Sequence, residues 1–214
     1  MPRLYYSRNP NPRLAVAVAR YLDAPVMLEW AAPFAPDQAD RFLQLNPTQR
    51  IPILVEDGAE PLWEADAIAC RLSQMVGSDF WRQGRAQPDM IRWLSWGKEN
   101  FVRACDMVQF ELGTKRRYGI GPIDPAKVAE GTVQYHEAAA ILDRHLDTRD
   151  WLTGATPSHA DFRMASFLPF NAVMRLPLHD YPALAAWSAR LEAIPAWADP
   201  FAGLDAPDLP PIPA

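Results

Sequence analysis

Every strand-like run in this chain falls before residue 64, and none follows it. Leu4-Tyr5-Tyr6-Ser7 is aromatic and apolar, and is cut off by Arg8-Asn9-Pro10-Asn11-Pro12. Asn11 suits a helix N-cap and Pro12 a first helical residue. From Arg13 to Leu22, apolar residues at Leu14, Val18 and Leu22 with small residues between them predict a helix buried over a broad face. Asp23-Ala24-Pro25 ends that helix, and Val26–Trp30 predicts a second strand. A strand, a helix and a strand in so short a span form a βαβ unit, whose strands pair in parallel through a right-handed crossover.

The next elements add an antiparallel half. Asp37–Leu45 predicts a short helix with Phe42 and Leu45 inward. Ile51–Val55 and Pro61-Leu62-Trp63 predict two strands turned at Asp57-Gly58. Glu64–Val76 carries Ala67, Ile68, Leu72 and Met75 as one apolar stripe of a further helix. This order of elements resembles the thioredoxin-like arrangement. Gly77–Pro88 is polar, with Gly and Pro, and reads as a linker; beyond it only helical periodicity is found. The expected helices run from Asp89 to about Arg117, from Asp124 to about Leu146, from Ser158 to about Arg175 and from Tyr181 to Ile194. The expected architecture is an α/β thioredoxin-like domain over 1–79, a linker over 80–88, and an all-α helical bundle domain over 89–214.

Composition excludes several function classes. The formal net charge is −5, and Lys115-Arg116-Arg117, which reads as a solvated helix end, is the only tight basic run. Nucleic acid is therefore not expected as a partner, because binding phosphates needs a basic face. No apolar run is long enough to span a membrane, and Leu4 follows the start with no leader-like segment, so a cytoplasmic location is expected. Cys70 and Cys105 form no C-x-x-C pair, and His136, His145, His159 and His179 are scattered. Reduced thiols and no metal are expected. The tail after Pro207 is expected to be extended and poorly ordered, or draped over the surface.

Three stretches carry chemistry. Ile51-Pro52 opens a strand, where proline is tolerated only at an edge or in a special conformation. If that bond is cis, the main-chain groups of Ile51 can pair with an extended peptide; if trans, the proline simply begins an edge strand. Trp63-Glu64-Ala65-Asp66 places a helix start directly after a strand. There the helix amides suit a carboxylate and Glu64 suits an ammonium, unless the acid is merely solvated. Ser158-His159-Ala160-Asp161 has the spacing of a capping box, with His159 expected to face solvent.

Together, Asn46-Pro47-x-x-x-Ile51-Pro52-x-Leu54, the acid at Glu64 and the capping box at Ser158 make the chain resemble the cytosolic glutathione transferases over nearly its whole length. The resemblance implies glutathione as a co-substrate. Ile51 would bind its cysteinyl backbone, Glu64 and Ala65 its γ-glutamyl end, and Gln49 and Arg50 the cysteinyl-glycine end, with Gln38 a weaker candidate. The family has Ser or Thr where Ala65 stands, and the missing bond to a charged group is worth about 1.5–3 kcal/mol. The group that activates the thiol would lie between the first strand and first helix; Asn11, Ser7 and Tyr6 are the candidates. No cysteine stands there, which argues against thiol–disulfide exchange through a protein thiol. A small, largely apolar electrophile would meet Met107, Phe110 and Tyr118 in a pocket of the helical domain. The implied role is detoxification by a homodimeric transferase. The alternative is a non-catalytic module of the same fold that binds glutathione or a protein.

Overall fold

The computed structural model describes residues 1–213 and divides the chain into two compact units. The first comprises Met1–Trp81 together with Ile194–Asp208. The second comprises Arg82–Ala193 with the tail from Leu209. A helical domain running unbroken to residue 214 is therefore corrected: Ile194–Asp208 belongs with the first unit, because its aromatic residues are buried there.

In the first unit, β1 (Arg3–Tyr6), β2 (Met27–Trp30), β3 (Ile53–Val55) and β4 (Leu62–Trp63) form one sheet in the order β2-β1-β3-β4. β1 runs parallel to β2, with Leu4 opposite Leu28. It runs antiparallel to β3, with Tyr5 opposite Ile53, and β3 pairs antiparallel with β4, with Ile53 opposite Trp63. Side chains alternate along β1, and each face has its own core. Tyr5 packs with Ala31, Phe42 and Ile53 under α2 (Ala39–Leu45), and its ring meets Phe42 edge-on at 5.2 Å. Tyr6 packs with Val16 of α1 (Pro10–Tyr21) and with Phe201 and Ala206 of the C-terminal segment. α1 is buried at every residue from Pro12 to Ala19, because α3 (Ala65–Met75) and α11 (Pro195–Ala198) pack on it as well as β1. Its buried stretch is mostly alanine, valine and leucine, which fits that sandwiched place, and its one buried charge, Arg13, donates to Trp197 O. Arg71 on α3 ties down the β3–β4 turn by a two-pronged bond to Glu56 (2.8 and 2.7 Å), which pulls that carboxyl below its usual value.

The helical unit departs from its expected continuity in two places. The helix predicted over Asp89–Arg117 is interrupted. α4 (Gln87–Glu99) ends at Asn100, whose φ of −124° and ψ of −92° are not helical and whose amide donates to Trp96 O at 2.7 Å. α5 (Phe101–Gln109) then passes through a π-turn at Phe110–Thr114 before α6 (Lys115–Tyr118). The π-turn is matched to Gly113, since a Cβ there would lie 2.4 Å from the Gln109 side-chain nitrogen. α7 (Pro125–Leu146) starts at Asp124, which caps Ala126 and Lys127. It approaches α5 at Gly131, where a Cβ would fall 2.9 Å from Val108 and 3.1 Å from the Ala104 carbonyl.

The helix predicted over Ser158–Arg175 is likewise divided into α8 (His159–Met164) and α9 (Asn171–Met174). Pro169 has no N–H to continue the ladder, and a 3₁₀ turn at Leu168–Phe170 takes over. α10 (Pro182–Glu192) completes the unit. The capping box closes on a fully buried Asp161. Its Oδ1 accepts from Leu152 N (2.8 Å) and Trp187 Nε1 (3.0 Å), and its Oδ2 from Ser158 N and Oγ (both 2.9 Å). Burial pushes this carboxyl up, against the pull of the four donors. His159 is fully buried and does not face solvent, because α8 is covered on every side. The basic run is not simply solvated. Lys115 pairs with Glu111 at 2.8 Å, and Arg116 and Arg117 donate to the carbonyls of Pro213 and Pro210. No helix among the described residues is long and apolar enough to cross a membrane.

Candidate functional site

The sheet register brings three loops together. Tyr5, Ile53 and Trp63 lie side by side on β1, β3 and β4. β1 continues from there to Ser7, β3 is entered from Ile51-Pro52, and β4 leaves into Glu64. All three loops therefore leave the sheet at one end, on adjacent strands.

The loop before β3 is built around Asn46, which is buried. Its Nδ2 donates to Arg50 O (2.8 Å), and its Oδ1 accepts from Thr48 N (2.9 Å) and Thr48 Oγ (3.0 Å). Gln49 sits at φ +56°, and its amide donates to Pro33 O and Ala39 O (3.0 and 3.1 Å). Its two N–H groups therefore brace the loop. Arg50 is exposed, held by its carbonyl and not by its guanidinium. The Ile51-Pro52 bond is cis, and Ile51 lies outside the paired register of β3.

Glu64 is exposed at the start of α3, with φ +72° and ψ +123°. A non-glycine residue so placed costs about 1–3 kcal/mol and persists where its surroundings impose it, most often at binding sites. α3 begins with no side-chain cap, and Ala65 is buried at 2% exposure. No hydroxyl stands at this helix start.

The loop after β1 differs from expectation in its helix boundary. α1 starts at Pro10, so Asn9 is the N-cap and Asn11 the second helical residue. Either asparagine satisfies the local preference, and two prolines with no N–H to lose allow the earlier start. Of the first three helical residues, only Asn11 carries an N–H. Asn11 is exposed. Ser7 Oγ accepts from Asn9 Nδ2 (3.2 Å) and Asn9 N (3.4 Å). As acceptor in both bonds, Ser7 keeps its own proton for a further acceptor. Tyr6 is 2% exposed and stacked on Phe201, with centroids 5.8 Å apart; burial pushes its phenol up. Asn9 and Asn46, which organise these two loops, were not singled out from the sequence for those roles. The signal available was an Asn two residues from a partner hydroxyl in each case.

The cysteines stand elsewhere. Burial raises both thiols, Cys70 on α3 and Cys105 on α5, which disfavours their thiolates. Among the described residues no group of three or more His, Cys, Asp or Glu could hold a metal ion. In the helical unit, Phe110 and Tyr118 are exposed and Met107 is half-buried. A cleft of about 470 Å³ in the same unit is lined by other residues: Arg92, Trp93, Trp96, Ile141, Arg144 and His145.

Residues 3–72 match the family model of the glutathione S-transferase N-terminal domain, and residues 125–190 that of the C-terminal domain. The chain belongs to the glutathione S-transferase family. Among the relatives of this transferase-family chain is the disulfide-bond oxidoreductase YfcG of Escherichia coli, 25% identical over 206 residues, covering 90% of this chain and 91% of that one. Another is FtsZ-localized protein A of Caulobacter vibrioides, 27% identical, covering 76% of each. A glutathione transferase family member from Pseudomonas fluorescens, solved with two glutathione bound, superposes with a TM-score of 0.77 at 20% identity, covering 93% of this chain and 91% of that one. That likeness extends to the fold.

Proposed function

We propose that this member of the family binds glutathione across the three loops at the end of its sheet and activates the thiol for attack on a small electrophile. The convergence of Ser7, Ile51 and Glu64 on adjacent strand ends is the observation that carries this reading. The main chain of Ile51 takes the cysteinyl backbone as a further strand would. The first-turn amides of α3, including that of Ala65, take the γ-glutamyl carboxylate, and Glu64 its ammonium. Arg50 supplies the charge for the glycine carboxylate, while Gln49 acts through the loop it braces. Ser7 and Asn11 are the donors to the sulfur, since Tyr6 is turned into the core. A bonded, helix-adjacent thiol ionises below its usual value of about 8.5. The fold neighbour with glutathione bound supports the ligand. The relative named for disulfides widens the electrophiles worth testing from carbon centres to disulfide sulfur. We further propose a homodimer, to be checked by equilibrium sedimentation.

A second reading is a non-catalytic module. It is favoured by Ala65, which lacks the usual hydroxyl, and by similarity to FtsZ-localized protein A. Ultraviolet titration of glutathione bound to the protein separates the two. Activation predicts a thiol pKa about one unit or more below the free value, with Ser7→Ala or Asn11→Ala raising it again and slowing turnover. A bound thiol with its solution pKa, and no turnover of carbon or disulfide electrophiles, establishes the module. No glutathione binding at all overturns the first reading and leaves only a module that binds a protein.

A further inference from the structure

We infer that the C-terminal segment Ile194–Asp208 sets the direction of Ser7, with Phe201 and Arg8 as positioning residues. Tyr6 and Arg8, the two neighbours of Ser7, grip the same ring. Tyr6 stacks on Phe201 at 5.8 Å with 22° between planes, and the Arg8 guanidinium lies 4.7 Å from the centre of that ring. β1 ends at Tyr6 and the chain bends at Arg8, so holding residues 6 and 8 on one ring leaves residue 7 between two fixed points and restricts the direction of its side chain. Arg8 is fixed further by two donations to Ala206 O, both 3.1 Å, and by Asp208 at 3.3 Å.

The grip is part of a longer clamp. Arg13, 6% exposed, donates to Trp197 O and lies over the Trp197 ring at 4.9 Å. Arg20 donates to Ala202 O at 2.9 Å. Three arginines, one in the loop and two on α1, thus hold three carbonyls of the segment. Arg8 is committed to this contact, so its part in the chemistry is indirect. None of these contacts involves Ile51, Glu64 or Ala65. Loosening the segment therefore disturbs the thiol donor and leaves the tripeptide cradle in place.

The inference rests on the proposed glutathione reading for its functional consequence, and its structural part is tested separately. In the full chain, Phe201→Leu and Arg8→Met are compared with Phe201→Tyr, which keeps the ring. Backbone hydrogen exchange of the Ser7–Asn11 loop is expected to rise about tenfold or more in the first two and to stay near the unsubstituted rate in the third. Glutathione affinity should change by less than about threefold. The bound thiol should titrate higher and kcat should fall about tenfold or more, without a matching rise in KM. Arg8→Met decides the question if Phe201→Leu does not fold, since the Arg8 side chain is part-exposed. Unchanged loop exchange in the folded variants overturns the inference, as does loosened exchange with an unchanged thiol titration. If the unsubstituted protein binds no glutathione, the functional reading fails while the exchange measurement still decides whether the segment holds the loop.

Discussion

Replacing Asp161 by Asn changes one oxygen to an NH₂ group in a fully buried site and keeps its size. The variant can still accept from Leu152 N and Trp187 Nε1 through Oδ1. Its new NH₂ faces Ser158 N, a donor that in the native protein bonds to Oδ2 at 2.9 Å. The Ser158 hydroxyl can reverse to accept from the new group, although it already accepts from Thr153 Oγ at 2.9 Å. The loss is then one hydrogen bond to a charged acceptor plus one stranded main-chain N–H, about 2–4 kcal/mol together. For a chain of this size that is a fall of about 4–16 °C in melting temperature. Removing the whole carboxylate with Asp161→Ala strands four donors and takes most of a typical total stability of about 5–15 kcal/mol. Urea unfolding should be followed by far-ultraviolet circular dichroism and by near-ultraviolet signal from the buried Trp187. The Asn variant is expected to show a lower midpoint with an unchanged slope. A loss below about 1 kcal/mol would mean that the four bonds do not hold the start of α8 as described.

Two other expectations concern the first unit. Ala65→Ser restores a hydroxyl at the start of α3; glutathione should bind about 10-fold to 100-fold more tightly by calorimetry, and unchanged affinity would show that the amides alone bear the carboxylate. Arg71 depresses the folded-state value of Glu56, so the pair stabilises the unit above the unfolded carboxylate value of about 4.3 and its contribution is lost as pH falls through the folded value. With Arg71 41% exposed the effect is about 0.5–1 kcal/mol; Arg71→Met should lower stability at pH 7 by that amount and flatten its acid dependence, as read by denaturant midpoints across pH.

What could be read from the sequence was what short-range chemistry dictates. Short aromatic and apolar runs bounded by proline, asparagine and glycine located the strands, Asp57-Gly58 the turn, and the i, i+3 spacing of Ser158 and Asp161 the capping box. Glu64 was legible because a helix start directly after a strand is a local pattern. What stayed hidden depends on partners distant in sequence. Arg8 stood in the sequence only as part of the loop that ends the first strand, and its destination, Ala206, lies 198 residues away. His159 looked exposed because its burial comes from elements packed around α8. Asn9 and Asn11 were locally equivalent caps. The breaks at Asn100 and in the π-turn follow from a bond back to Trp96 and from the fit of Gln109 against Gly113, neither of which alters the apolar period.

Pro10 and Pro12 have a consequence for which anions α1 can attract. A tetrahedral oxyanion is held at a helix start by several convergent amides, and two of the first three positions of α1 have none to offer. A sulfur anion presents one atom and needs only one or two donors, the role proposed above for Asn11 and the hydroxyl of Ser7. The helix start therefore discriminates by donor count: it is a poor nest for phosphate or sulfate and an adequate one for a thiolate. Because those donors are mainly side chains, single substitutions in this loop can retune the site while the main chain stays unchanged.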